Sequence, residues 1–219
     1  MATPAPPRVR SGLPRRVRSD LVPYDECHDE RLVDTDLTGV VADHVEIAGC
    51  ELRGVRITGA DLERLRLVDV VLVDCELSGA TLYESSLVRV ELRNCRAAGL
   101  VIAQAQLTDV VFLECKLDDA NLRFVRAERV RFDDCSLVGA DCYEATCAAT
   151  SFSNCDLTNA EFSNATMVGV RLEGSRLDAV RGASSLAGAI VTTDQVLPLA
   201  LGVFADLGIV VDRSIEDRE

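Results

Sequence analysis

The chain has 219 residues and a formal net charge of −13, from 36 carboxylates against 23 lysines and arginines. There is no Trp, aromatic residues make up 4%, and there are only two histidines. An ordinary aromatic-rich globular core and a histidine-based general-base site are therefore both poor fits, and so much negative charge disfavours direct binding of nucleic acid by the main body.

Residues 1–30 open the chain with Pro4, Pro6, Pro7 and Pro14 among Arg8, Arg10, Arg15, Arg16 and Arg18. The segment lacks the apolar stretch of a secretory signal. Its composition predicts a largely disordered N-terminal extension. Asp20, Asp25, Glu26, Asp29 and Glu30 balance the arginines. Two readings stay open: a tail without a role, or an arm that touches nucleic acid or an acidic partner.

Residues 31–181 follow a period of five. From Leu32 through Leu52, Leu72, Leu92, Phe112, Phe132, Phe152 and Leu172 to Leu177, every fifth position is Leu, Ile, Phe, Met, Ala or Cys, without an insertion over thirty units. Helices repeat near 3.6 residues and strands near 2, so neither sustains this period. Two residues before each centre stands a second small or β-branched residue, such as Ala60, Val70, Val90, Ala120 or Val130. Centre and second residue face inward with one outward residue between them, which makes a very short strand. The remaining two residues, often ending in Gly, Asp or Asn, turn a corner. Four such sides close a coil of twenty residues. Coils must stack, because one coil cannot bury its own apolar face. Seven and a half coils at ~4.8 Å each give a rod about 36 Å long.

Five cysteines mark the same spacing: Cys75, Cys95, Cys115, Cys135 and Cys155 recur every twenty residues. Stacked in one row they form a core ladder. No CxxC pair exists and the histidines, His28 and His44, lie away from the ladder, so no metal site is expected. Thiols that point the same way in a packed row make poor disulfide geometry. Reduced core thiols and a cytoplasmic location are the reading that follows. No cofactor motif is present.

The units Ala60-Asp61-Leu62, Ala120-Asn121-Leu122, Ala140-Asp141-Cys142 and Ala160-Glu161-Phe162 resemble the A(D/N)LXX consensus of pentapeptide-repeat proteins. The resemblance implies an all-β fold, a right-handed quadrilateral parallel β-helix, in agreement with the coil derived above.

Residues 182–219 leave the register and are read as a C-terminal capping and dimerisation segment. Asp194 reads as an N-cap, Gln195 to Leu207 as a helix, and Gly208 as its stop. Val196, Leu197, Leu199, Leu201, Val203, Phe204 and Leu207 leave almost no polar face. Such a helix needs cover on two sides. One side caps the solenoid; the other, through Leu197, Leu201, Phe204 and Leu207, fits a second copy in a homodimer. Ile209 to Val211 reads as a short strand and Asp212 to Glu219 as a charged tail.

No catalytic constellation is present, so the chain is read as a binding protein and not as an enzyme. Residues 31–181 hold 25 carboxylates against 16 bases. The side centred on Leu62, Leu82, Ile102, Leu122, Cys142 and Phe162 is the most one-sided, with Asp43, Asp61, Glu63, Glu84, Asp141, Glu144 and Glu161 against Arg64 and Arg123. Regularly spaced carboxylates can imitate DNA phosphates and attract a basic groove. The chain is similar to pentapeptide-repeat proteins of the mycobacterial fluoroquinolone-resistance type, in the acidic rod and in Gly188 to Val191, Asp194 to Val196 and Leu207-Gly208. That resemblance implies a DNA mimic that binds DNA gyrase, inhibiting it or protecting it from topoisomerase poisons. No loop interrupts this rod, unlike plasmid-borne relatives that need loops for protection, so binding is the firmer expectation. The alternative is a scaffolding module that binds another protein through apolar outward residues such as Val71, Val111 and Leu113.

Overall fold

The computed structural model describes residues 2–210. Eleven strands run in chain order: β1 (Arg15–Arg16), β2 (Glu26–His28), β3 (Arg31–Val33), β4 (Glu46–Ala48), β5 (Glu51–Arg53), β6 (Arg66–Val73), β7 (Ser86–Arg93), β8 (Gln106–Leu113), β9 (Arg126–Asp133), β10 (Thr146–Ala148) and β11 (Ser151–Ser153). From β2 onward every pairing is parallel and advances twenty residues, as in Leu67↔Leu87↔Leu107↔Ala127↔Cys147. The other two sides are joined by single bridges at the same interval, such as Glu76↔Arg96↔Lys116 and Asn121↔Asp141↔Glu161. The result is a four-sided parallel β-solenoid.

The five-residue rule is visible in the burial. Leu62, Leu82, Leu122 and Leu137 at the centres are buried, as are Ala60, Val70, Val90 and Ala120 two residues earlier. Each buried Leu stabilises the rod by about 1.5–3 kcal/mol, and no large aromatic core is needed. Where Phe does occur it stacks: Phe112, Phe132 and Phe152 lie ring on ring at 4.6 and 4.7 Å. These distances are the rise per coil.

The second of the two outward residues after each centre is left-handed. Asp69, Arg89, Asp109 and Arg129 have φ of 55°, 51°, 56° and 55°. Asp, Asn and Gly tolerate this region best; the structure also puts arginines, Gln104, Ala149 and Phe124 there. At Asp69, Arg89, Asp109 and Arg129 the chain bends inside a continuous eight-residue strand, so two of the four sides share one ladder.

The cysteine ladder lies inside. Cys115 Sγ reaches the carbonyls of Leu113 and Leu92 at 3.4 and 3.5 Å, and Cys135 Sγ those of Asp133 and Phe112 at 3.2 and 3.5 Å. Hydrogen bonding with flanking thiols, and then burial, hold Cys95 and Cys135 well above the ordinary thiol range. Burial pushes Cys27 up to about 11 and Cys147 to about 12. All nine cysteines are unbridged.

Two features of the chain ends differ from the expectation. Residues 2–30 have a defined course. β2 pairs with β4 in the twenty-residue register, so the first coil begins before residue 31. Leu13, Leu21 and Cys27 are buried, and β1 pairs with β3. Local composition gives no sign of this, because these residues are ordered by the coils they touch.

At the other end, the turn Thr193–Gln195 precedes α1 (Val196–Asp206), and Asp194 is not the cap. Gln195 is 2% exposed. Its Nε2 donates to the carbonyls of Leu172 and Ser175 at 2.5 and 2.6 Å, and its Oε1 accepts the Thr192 N–H at 2.8 Å. A further coil would have satisfied groups at this end; one side chain does so instead. Leu199 and Val203 pack on the core beside Gly202. A Cβ on Gly202 would stand 2.9 Å from that of Ala183, so the close approach requires glycine. Gly208, left-handed at φ 69°, ends the helix. Ile209 and Val210 form no strand; Val211 and the charged tail lie outside the described residues.

Candidate partner-binding surface

The seven carboxylates singled out from the sequence share one side of the solenoid, where they fall into two groups. Near the N-terminal end, Asp43, Glu63 and Glu84 converge on Arg64. Its guanidinium lies 3.3, 3.4 and 3.5 Å from them. Hydrogen bonding with His44, then with Arg64, holds the Asp43 carboxyl below its usual range. Asp61 stands in the same group and keeps one buried carboxylate oxygen without a hydrogen-bond partner.

Near the C-terminal end stand Asp141, Glu144 and Glu161. Asp141 and Glu161 are adjacent in one outward row, joined by a bridge. Arg123 meets Asp141 at 2.9 Å and Arg181 meets Glu161 at 3.3 Å. The Glu161 carboxylate also accepts the Ser163 N–H at 2.7 Å. Glu144 is exposed.

Between the groups the outward row reads Thr81, Val101, Asn121. Beyond Glu84, no carboxylate of this side stands on the coils centred on Ile102 and Leu122, so the gap from Glu84 to Glu144 is three coils or about 14 Å. Instead Phe124, left-handed at φ 60° and 39% exposed, meets Tyr143 edge to face at 5.8 Å. The Arg123 guanidinium lies 4.4 Å from the Tyr143 centroid and 5.6 Å from that of Phe124. The acidic side is therefore two charged groups around an aromatic and arginine patch.

A further group of carboxylates escaped the sequence reading. Glu114, Asp118, Asp119, Asp133 and Asp134 fall on two adjacent coils, with Glu114, Asp133 and Asp134 at one corner and Asp118 and Asp119 at the next. Glu114, Asp119 and Asp134 are exposed, and Arg131 pairs with Asp133 at 2.7 Å. Counting charge by side divides this group between two sides and so hides it. The apolar residues Val71, Val111 and Leu113 are half-buried, and Val71 and Val111 alternate along their row with Glu51, Glu91 and Arg131.

On α1, Leu197 is 69%, Leu201 40% and Phe204 39% exposed, and Leu207, just past its end, is 66% exposed. Leu197, Leu201 and Phe204 lie on the side away from Leu199, Gly202 and Val203. Among the described residues, no group of three or more His, Cys, Asp or Glu side chains is placed to hold a metal ion, and no helix is long and apolar enough to cross a membrane.

The chain belongs to the pentapeptide-repeat family. The model "Pentapeptide repeat region" matches residues 45–122, and "Pentapeptide repeats (8 copies)" matches residues 115–146 and 140–178. Proteins of this kind are in general structural or interaction modules. No curated protein matches the chain. Solved structures that resemble it include the full-length QnrB1, a plasmid-mediated fluoroquinolone resistance protein, at 23% identity over 89% of this chain and 100% of that one, TM-score 0.42. The pentapeptide-repeat protein Rfr23 from the cyanobacterium Cyanothece 51142 is 15% identical over 56% of this chain and 91% of that one, TM-score 0.47. HetL, involved in heterocyst differentiation regulation in the cyanobacterium Nostoc, is 18% identical over 78% and 89%, TM-score 0.37.

Proposed function

We propose that this protein is a DNA mimic that binds the DNA-binding surface of DNA gyrase or another basic DNA-binding protein, and that it acts by binding and not as an enzyme. The observation that carries the reading is the pair of carboxylate groups held on rigid coils along one side. Side chains fixed on stacked coils need little ordering when a basic groove closes on them, so charge complementarity converts efficiently into affinity and encounter rate. The sign of the charge leaves no role for the rod in binding nucleic acid directly. A homodimer through Leu197, Leu201, Phe204 and Leu207 and a cytoplasmic location with reduced thiols complete the reading. An exposed apolar helix face on an otherwise charged rod supports the dimer. Inhibition of the enzyme, or its protection from fluoroquinolones, is the expected consequence.

The test is a gyrase supercoiling and cleavage assay over a titration of the protein, with and without a fluoroquinolone, at two salt concentrations. Salt-sensitive inhibition or rescue from drug-induced cleavage is expected; no effect at tens of micromolar removes gyrase as the partner. The patch of Arg123, Phe124 and Tyr143 favours a second reading, a scaffold that binds another protein mainly through apolar and aromatic contact, because such residues dominate interface energies. Binding that is insensitive to salt would select it.

A further inference from the structure

The N-terminal segment lies lengthwise on the rod, across the coils. The Ala5 N–H donates to Asp109 Oδ1 at 3.1 Å and the Arg8 N–H to Asp69 Oδ1 at 2.9 Å. Farther along, the Arg10 guanidinium stands 3.4 Å from Asp29, and the Arg31 N–H donates to the Pro14 carbonyl at 2.9 Å. The segment thus descends one corner in the order Asp109, Asp69, Asp29.

That corner is regular. Its left-handed positions read Asp29, Gly49, Asp69, Arg89, Asp109, Arg129. Arg89 grips Asp69 at 2.6 and 2.7 Å, and Arg129 grips Asp109 at 2.7 and 3.2 Å. Each carboxylate is fixed by its arginine yet still accepts a backbone N–H from the segment. These pairings, first the arginine and more weakly the backbone N–H, hold both carboxyls below their usual range.

The spacing explains the match. The stacked phenylalanines set a rise of 4.6 and 4.7 Å, so two coils advance about 9.3 Å. A polyproline II helix turns once in three residues and rises about 3.1 Å per residue, so N–H groups three apart lie on one side, about 9.3 Å apart. Ala5 and Arg8 are three apart. Pro4, Pro6 and Pro7 fix their own φ and bias the preceding residues toward the same extended conformation. Pro6 and Pro7 have no N–H, so nothing competes between the two donors.

We propose that the corner of Asp29, Asp69 and Asp109 is a binding site for proline-rich peptides in the polyproline II conformation, in which Asp109 and Asp69 read backbone N–H groups three residues apart and Asp29 holds an arginine side chain, and that residues 4–10 of this chain are its resident occupant. Arginines in the peptide add attraction to the acidic rod; the backbone donors set the register. Nothing in this site depends on a topoisomerase partner.

The test uses the chain lacking residues 2–10, which keeps Leu13 and β1, and a fluorescent synthetic peptide of residues 2–16. The truncated chain is expected to bind the peptide at least about tenfold more tightly than the full chain does, because the tethered segment competes at high effective concentration. N-methylation at Ala5 and Arg8 is expected to weaken the peptide at least about tenfold, and Asp69→Asn with Asp109→Asn to do the same on the protein. Equal binding by full and truncated chains, no binding by either, or indifference to N-methylation would each overturn the proposal. A second measurement works on the full chain alone. Trypsin should cleave after Arg8 and Arg10 at least about tenfold faster in the double Asn variant, and equal rates would refute occupancy in cis.

Discussion

Gln195→Ala tests how the solenoid ends. In the wild type the Gln195 amide serves the carbonyls of Leu172 and Ser175 and the Thr192 N–H. The Leu172 carbonyl has a second donor, the Ser175 N–H at 3.1 Å. Truncation therefore leaves chiefly the Ser175 carbonyl and the Thr192 N–H unpaired, each worth about 1–3 kcal/mol when buried. Water at the open end relieves part of this, so a loss of about 3 kcal/mol is expected. A solenoid's stability is a sum over neighbouring units, so the loss should stay local. It should appear as faster amide exchange in Val196–Asp206, by about two orders of magnitude, with β6 to β9 unchanged. Hydrogen exchange read by mass spectrometry separates the two regions. A helix as protected as in the wild type would refute the capping argument. Equal loss along the whole rod would refute its locality.

Two further perturbations address the coils. Ala149 is left-handed at φ 50°. Ala149→Gly should stabilise its coil by about 0.5–1 kcal/mol, the relief of a left-handed alanine less the added freedom of the unfolded chain, measured as a shift in urea midpoint. Acid is the second. Hydrogen bonds from Arg56 and then Thr38 lower Asp36 to about 2, and Arg89 and Arg129 lower Asp69 and Asp109. A depressed folded pKa gives stability that is complete above the unfolded value of about 3.9 and is lost as pH falls through the folded one. Stability from these aspartates should hold from pH 7 to about 5 and fall between about 4 and 2; urea midpoints that decline by pH 6 would contradict the assignment.

The coil was legible because its rule is local: one inward pair and one corner every five residues, seen at Ala60, Leu62 and Arg64 and repeated without a slip. The helix from Val196 was legible for the same reason. Gln195 was not, because its role is set by carbonyls 20 and 23 residues earlier, exposed only because the rod stops there. The course of residues 2–16 was hidden likewise. Proline and arginine describe a solvated chain until Asp69 and Asp109 are seen at the spacing that fits Ala5 and Arg8. The division of the acidic side could have been read: aligning the chain in rows of twenty sets Thr81, Val101 and Asn121 between Asp61 and Asp141. Counting charge per side averaged that gap away.

The same gap determines what mutation of the proposed DNA-mimicking side should do. Phosphates on one strand of B-DNA rise about 3.4 Å each, while carboxylates here advance by a coil of 4.6 to 4.7 Å. The two ladders fall out of step at once, so a basic groove cannot meet the rod phosphate by phosphate. Recognition must rest on the summed field of each group, and the field of several charges is insensitive to one of them. Reversing Glu84 alone should weaken binding only about twofold to threefold, within the range of a single exposed pair. Reversing Asp141, Glu144 and Glu161 together changes the local charge by six and should weaken it at least about thirtyfold, with a flatter dependence on salt. Circular dichroism would check that the rod persists, since these are outward positions. If one reversal abolished binding and the other two did nothing, recognition would lie in a single specific contact, and mimicry by field would be refuted.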